Sequence, residues 1–360
     1  IALGILISSS QVYPKFDLEN TIVFGELGLD GSIRGVDGTL PMIIEAKKHK
    51  MQRVIVPYEN RHEACLVDGI EIIAVKDLKE LCAYINGAKN ILPLPPMANA
   101  VNDSRFSFDY SDVKGQENAK RAMEVAAAGA HNMLMIGPPG SGKTMLAKCF
   151  PSILPDMTKN ESLEVTKIYS IAGLLKRETP LVTTRPYRAP HHTISDISLT
   201  GGGRIPRPGE VSLSHLGVLF LDELPEFQKT SLESLRQPIE DKIVTISRVN
   251  ATITYPSSFM LLASMNPCPC GYFGDESNKC HCSSNEIKRY LGRISGPLLD
   301  RIDIHIEVPS TSYDKLKDRA KSESSESIKK RVNAARAVQL QRYRGTDTLF
   351  NSALNPRQIE

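Results

Sequence analysis

Three observations predict an α/β protein: a three-layer α/β/α phosphate-loop core, a smaller α/β domain before it and the start of a helical lid after it. The first is the stretch 133–144, MLMIGPPGSGKT, in which an apolar run ends in a glycine-rich turn followed by Lys-Thr. This is the strand, loop and helix context that the pattern G-x-x-x-x-G-K-[ST] requires. The second is 217–223, GVLFLDE, an apolar run ending in two acids about 75 residues further on. The third is 91–101, ILPLPPMANAV, a Pro-rich, uncharged connector that reads as a domain boundary.

The phosphate loop carries the chemistry. Gly137, Gly140 and Gly142 have no Cβ, so the turn that they form with Pro138, Pro139 and Ser141 can aim backbone N–H groups at phosphate oxygens. Lys143 would reach the β- and γ-phosphates, and Thr144 would place its hydroxyl on Mg²⁺. ATP and Mg²⁺ are therefore the expected cofactors. The run 218–221 predicts a buried strand whose carboxyl end delivers Asp222 and Glu223 where ligands bind in such sheets. Asp222 would hold Mg²⁺ through water, and Glu223 would polarise the attacking water.

Composition bounds the rest. A chain of 360 residues accommodates two or three domains, and a net charge of +3 gives no chain-wide signal for nucleic acid. Seven cysteines, four of them clustered, read as reduced thiols and a metal site rather than disulfides. No apolar run approaches the length needed to cross a bilayer, so the expectation is a cytoplasmic protein with no membrane partner. The opening IALGILISSS reads as a helix cut at its N-terminal side, and NPRQIE stops in mid-pattern, so both ends read as truncated.

In chain order, strands are expected at 22–24, 53–56 and 70–74, with amphipathic helices at 40–49 and 78–85. An Ala-rich helix at 117–129 precedes the phosphate loop, and Val113, Gly115 and Gln116 are either nucleotide contacts or an ordinary helix N-terminus. Helices are expected at 145–150 and 161–175. Residues 185–214, with three successive glycines and the pair His191-His192, read as loops and a hairpin; no third ligand stands near the histidines at metal spacing. A helix at 227–240 and a β-hairpin at 243–255, turning near Arg248, follow. A buried strand at 259–264 leads to Asn266, which either orients the attacking water or makes a turn before Pro267.

Cys268, Cys270, Cys280 and Cys282 form two C-x-C pairs separated by the nine residues 271–279. Four soft ligands on a short loop suit tetrahedral structural Zn²⁺, with four reduced thiols as the alternative reading and His281 as a substitute ligand. Arg301 stands at a helix end before a strand, placed either for a neighbouring subunit's γ-phosphate or for a cis salt bridge to Asp300 or Asp303. Residues 313–343 read as a charged helical stretch, broken near 321–327, that opens a lid.

These stretches resemble known families. The passage GELGLDGSIRGVDGTLPMIIEAKKHKMQRVIVPYEN resembles the closing half of the proteolytic domain of Lon-type proteases, over about the first 90 residues. That family carries the lysine of a Ser-Lys dyad after the glycine-rich turn, but here Gly38-Thr39-Leu40-Pro41 supplies none, which implies a catalytically silent relative. Residues 109–360 resemble the magnesium-chelatase-like branch of AAA+ ATPases. With the Lon-like domain, the motifs GPPGSGKT, RAPHHTIS, LFLDELPEF, NPCPCG…CHC and GPLLDRID are closely similar to the ComM/YifB family.

The resemblance implies a P-loop AAA+ core at 109–310, after a Lon-like domain at 1–92 and a linker at 93–108, with the lid from 311. It further implies a ring-forming, homo-hexameric ATPase associated with DNA branch migration and helicase activity during natural transformation, acting on single-stranded or branched DNA. Lys143 and Glu223 would then be catalytic, Asn266 a sensor and Arg301 a trans finger. The hairpin at Arg248, with Arg204 and Arg207, would line a basic pore. A second-sensor arginine is expected in the lid's later helices and is not assigned, since the sequence ends at Glu360. Two alternatives stand beside this reading: a chelatase motor subunit, which lacks the Lon-like domain and the cysteine insertion, and an ATP-gated remodelling scaffold.

Overall fold

The computed structural model describes residues 1–97, 106–176, 180–248, 251–275, 279–310, 322–346 and 348–359. They gather into two compact units: Ile1–Asp103 with Thr158–Thr183, and Ser104–Met157 with Thr184–Glu360.

The first unit is built on a parallel sheet of β1 (Thr21–Val23), β2 (Arg53–Pro57) and β3 (Glu71–Val75), with β2 in the middle. RVIVP and EIIAV are almost continuously apolar because both faces of the sheet are covered. Val54, Val56, Ile72 and Ala74 pack with Leu40 and Ile43 of the helix Thr39–Lys48. The alternate residues Ile55, Ile73 and Val75 pack with Leu81 and Ile85 of the helix Leu78–Ile85. Asp77 caps that second helix, accepting from the Glu80 N–H at 2.8 Å.

The helix Lys159–Ile171, started by a Thr158/Glu161 capping box, also belongs to this unit. The sequence reading drew contiguous spans, whereas packing recruits this later stretch: Leu163 and Leu181 join the Leu40 cluster, and the Ser170 hydroxyl donates to Glu63. Leu40, in the stretch 38–41 that carries no lysine, is fully buried, and its N–H donates to Glu63 Oε1 at 2.9 Å.

The second unit holds a five-stranded parallel sheet of β4 (Met133–Ile136), β5 (Tyr187–Arg188), β6 (Val218–Leu221), β7 (Met260–Met265) and β8 (Ile304–Glu307), in the order β8-β4-β7-β6-β5. All residues of β6 and β7 are buried, as their apolar runs predict. The helix Glu117–Gly129 places Met123, Ala126 and Ala127 on Met133 and Met135, and the helix Ser325–Arg342 adds Ile328 and Val332. This sheet with its helices is the α/β/α phosphate-loop core expected from the sequence.

Two local expectations are corrected. Residues 187–188, read as loop, form the edge strand β5 beside Val218 and Leu219, with the Arg188 guanidinium on Glu210 at 2.6 and 2.7 Å. A two-residue strand has no periodicity to show. The helix expected at 227–240 is two helices, Lys229–Ser234 and Arg236–Asp241, meeting at Leu235. Restarting there puts Pro238 in a first turn, where its missing N–H costs nothing. The hairpin Ile243–Arg248 with Ala251–Pro256 forms as expected; its turn residues 249–250 and the Arg248 side chain lie outside the described residues.

The segment leading to the phosphate loop is clasped to the last long helix. The Asp109 carboxylate accepts from the Ser111 N–H at 2.8 Å and from the Ser325 N–H at 3.2 Å. The Ser325 hydroxyl accepts from Tyr110 N–H at 2.9 Å and from the Ser152 hydroxyl at 2.7 Å. Burial opposes the Asp109 charge, but these hydrogen bonds outweigh it and hold its pKa below the usual 3.8. A carboxyl whose pKa is depressed on folding stabilises the protein above its unfolded pKa, and that stability is lost as the pH falls through the folded value. Asp109→Ala is therefore expected to lower unfolding stability by about 1 kcal/mol at neutral pH. The difference from the parent should shrink below about pH 4, as followed by thermal melts across the acid range.

Candidate active site

The site is assembled by strand register. β6 ends at Leu221 opposite Ala263 of β7, and β7 ends at Met265 opposite Ile136 of β4. The carboxyl ends of three neighbouring strands thus release Gly137, Asp222 and Asn266 on one edge. Gly137 is pinned from both sides: its N–H donates to Met265 O at 3.2 Å, and a Cβ there would lie 2.1 Å from Val308 O. Only glycine lets the loop leave the sheet at this point. Gln116, left open between contact and helix start, adopts a left-handed conformation and donates from Nε2 to Ser141 O at 3.1 Å and Pro309 O at 2.7 Å. It braces the loop from behind.

Lys143 is 8% exposed, and its Nζ donates to Gly137 O at 2.7 Å, Pro138 O at 2.9 Å and Asn266 Oδ1 at 3.3 Å. Burial lowers its pKa, with Asp222 and Glu223 pulling in the opposite direction. Thr144 Oγ1 donates to Asp222 Oδ2 at 2.8 Å, and the Ser264 hydroxyl donates to the other carboxylate oxygen. The hydrogen bond from Thr144 sets the Asp222 carboxylate beside the hydroxyl that would ligate Mg²⁺, where Asp222 would hold one of the ion's waters. Glu223 is turned out of the strand by a left-handed backbone at φ 56°, and its Oε2 stands 3.5 Å from His192 Nδ1. The structure therefore brings together Lys143, Thr144, Asp222, Glu223 and Asn266.

Arg301 sits apart from that cluster of contacts. It donates to Pro297 O at 2.7 Å and pairs with Glu240, while its Nε is buried without a hydrogen-bond partner. The cis partner is thus Glu240, rather than the Asp300 or Asp303 weighed from the sequence. Asp303 instead accepts from His131 and from the Asn132 N–H, both at 3.1 Å.

The four cysteines of the C-x-C pairs converge, with all four sulfurs within 4.8 Å of one another. Cys268 Sγ lies 3.3 Å from Cys270 and 3.8 Å from Cys280, and Cys270 lies 3.7 Å from Cys280. The edge of a zinc tetrathiolate is about 3.8 Å, from Zn–S of about 2.3 Å, so these donors fit Zn²⁺. The Tyr272 N–H, followed by Cys268, brings the Cys270 thiol down to about 6. Cys282 receives a lowering hydrogen bond from the Cys270 backbone, but burial and its neighbouring thiols push it up to about 12. One thiolate in the group thus disfavours the next, and a divalent ion would relieve that repulsion.

Sequence reasoning missed Ser264, His192 and Glu240. Ser264 left a signal, a hydroxyl inside the fully buried run MLLASM, because a buried hydroxyl needs a partner. His192 was weighed only as a metal ligand with His191, whose ring lies 4.1 Å away. Glu240 carried no local signal, since its partner is 61 positions distant in the chain.

The order and register of this sheet, with the phosphate loop and the acidic strand end, define an ATPase core of the AAA+ type. The family model described as magnesium chelatase, subunit ChlI, matches residues 109–316, and one described as subunit ChlI of Mg-chelatase matches 1–60. The chain is 43% identical over 343 residues to the uncharacterized protein YifB of Escherichia coli K12, covering 95% of this chain and 66% of that one. It is 41% identical over 369 residues to the competence protein ComM of Haemophilus influenzae, covering all of this chain and 70% of that one. Lon protease 2 of Bacillus subtilis is 43% identical over 70 residues, 19% of this chain and 12% of that one.

The chain belongs to the magnesium-chelatase ChlI family and is an AAA+ ATPase of the ComM/YifB kind. It spans about two thirds of the length of these full-length relatives. Among the described residues, no helix is long and apolar enough to cross a membrane.

Removing the Ser264 hydroxyl should free the Asp222 carboxylate to rotate while leaving the loop intact. Ser264→Ala is expected to raise the Mg²⁺ concentration needed for half-maximal nucleotide binding about tenfold, measured by Mg²⁺ titration with a fluorescent ATP analogue.

Proposed function

We propose that this chain is the ATP-hydrolysing motor of a homo-hexameric ring that moves DNA, a helicase or branch-migration translocase acting on single-stranded or branched DNA in the cytoplasm. The observation that carries the reading is the convergence of Lys143, Thr144, Asp222 and Glu223 at three parallel strand ends. Gly137, Pro138, Pro139, Gly140, Ser141 and Gly142 wrap the phosphates, Lys143 exchanges loop carbonyls for the β- and γ-phosphates, and Thr144 with Asp222 holds Mg²⁺. Glu223 takes the proton of the attacking water, and Asn266 orients that water. Arg301 leaves Glu240 to stabilise charge on the γ-phosphate of a neighbouring copy. Zn²⁺ at Cys268, Cys270, Cys280 and Cys282 is the structural metal.

DNA enters through similarity to a protein named for competence, and through Arg204, Arg207 and Arg248, which assembly would concentrate. The first unit carries no peptidase chemistry in this reading, because the stretch 38–41 holds no lysine to activate a serine and its Leu40 is fully buried. A second reading, a chelatase motor subunit, is favoured by the description of the family model at 109–316.

The test is steady-state ATP hydrolysis with and without single-stranded and forked DNA. DNA should stimulate the rate, and Glu223→Gln should lower it at least about 100-fold. A rate indifferent to every DNA tested removes DNA and moves the chelatase reading forward. Arg301→Ala should lower kcat by about 10³-fold with nucleotide affinity nearly unchanged, which separates a finger from a stabilising ion pair.

A further inference from the structure

The cysteine loop does not hang free of the nucleotide site. It begins two residues after Asn266 and ends at Ser283, whose side chain caps the helix Ser284–Leu291. Between those anchors the chain turns at Gly271, which has φ +88° and donates its N–H to Cys268 O at 3.0 Å. A Cβ built on Gly271 would lie 2.6 Å from Pro139 Cδ, 2.7 Å from Pro139 Cγ and 3.8 Å from Asn266 Cγ. The backbone of the C-x-C turn therefore rests directly on the phosphate loop, close to the residue that Lys143 touches.

Among the described residues, the loop is held by its sulfurs and by a few polar contacts: Phe273 N–H donates to Cys268 Sγ at 3.3 Å, and the Ser310 hydroxyl donates to Asp275 at 3.2 Å. Phe273 is 54% exposed, and of the four cysteines only Cys268 is buried. With so small an apolar anchor, whatever binds the four thiols contributes much of the loop's shape. Four sulfurs within 4.8 Å of one another are a donor set of the size that one tetrahedral ion takes.

We infer that metal occupancy of the Cys268/Cys270/Cys280/Cys282 cluster controls nucleotide affinity, because the tetrathiolate sets the Gly271 turn, and that turn holds Pro139 and Asn266 in place around the phosphates. The inference rests on the reading of residues 137–144 as the ATP site. Zn²⁺ is the ion of the right softness and geometry, and the coupling is reciprocal: ATP tightens zinc by the factor by which zinc tightens ATP. The loop is thus a sensor of zinc supply.

The test uses the full chain under reducing conditions. Zinc is released by p-hydroxymercuribenzoate and counted with 4-(2-pyridylazo)resorcinol, while mant-ATP binding is followed before release and after thiol regeneration with and without Zn²⁺. One zinc per chain is expected, with mant-ATP affinity about tenfold weaker without it and restored on reloading. Saturating Mg-ATP should slow zinc loss to the chelator. Gly271→Ala keeps all four thiols and should retain zinc yet weaken mant-ATP binding, which separates the contact from misfolding of a cysteine variant.

A stoichiometric zinc whose removal leaves mant-ATP binding unchanged overturns the coupling while the ATP site stands. A reduced chain that takes up no zinc overturns the metal. A zinc-loaded chain that binds no mant-ATP overturns the ATP-site reading and the coupling with it.

Discussion

The site depends on strand register. β7 is six residues long and pairs through Met260–Ala263 with β6 and through Leu262–Met265 with β4, so it acts as the ruler that levels its two neighbours. Its Ser264 reaches Asp222 on one side, and Asn266, one residue past its end, reaches Lys143 on the other. A slip of one residue would turn Ser264 to the opposite face and carry Asn266 away from the lysine. β6 and β7 are buried along their whole length, so a slip would also displace every packed side chain on both faces, and the packing of the core and the geometry of the site are one constraint.

What could be read from the sequence follows from how local its causes are. The phosphate loop, the acidic strand end and the hairpin at 243–255 announce themselves within a dozen residues, and the structure places them accordingly. The helix 117–129 was legible to the residue because its Ala-rich face has one period throughout. Residues joined by long-range geometry were not legible: β5 is too short to carry a pattern, and Glu240 meets Arg301 only after the sheet has formed. The break at Leu235 was readable in principle from Pro238. A strong helical pattern on either side concealed it.

In the first unit, packing occupies the stretch 38–41, which carries no lysine. There Leu40 is fully buried beside Ile43, Val54 and Ile72. The nearby polar capacity is already used, since Glu63 accepts from the Leu40 N–H and from the Ser170 hydroxyl. A lysine in that place would bring an ammonium into an apolar cluster whose one close carboxylate is committed elsewhere, at the cost that burying a charge carries. Leu40 and Ser170 thus make this region part of the fold's stability, and Ser170 comes from the very stretch, 158–183, that returns to this unit from between segments of the other.

The two cations assigned to phosphate chemistry share a physical state. Lys143 is buried and satisfied by the carbonyls of its own loop, and Arg301 is tied to Glu240 and Pro297. Lys143 is buried and Arg301 is half-buried, and both are already partnered, so under the proposed function part of the desolvation cost is already met in the folded chain. Nucleotide would then compete with partners rather than fill a void: a γ-phosphate draws Lys143 from neutral carbonyls readily, because a charge-assisted contact is about twice as strong as a neutral one. Arg301 must leave a full carboxylate, a harder exchange that only a second anion can drive. Under the proposed function, that asymmetry would let a lone chain bind nucleotide while keeping turnover for an assembled ring, where the γ-phosphate of a neighbour would compete with Glu240.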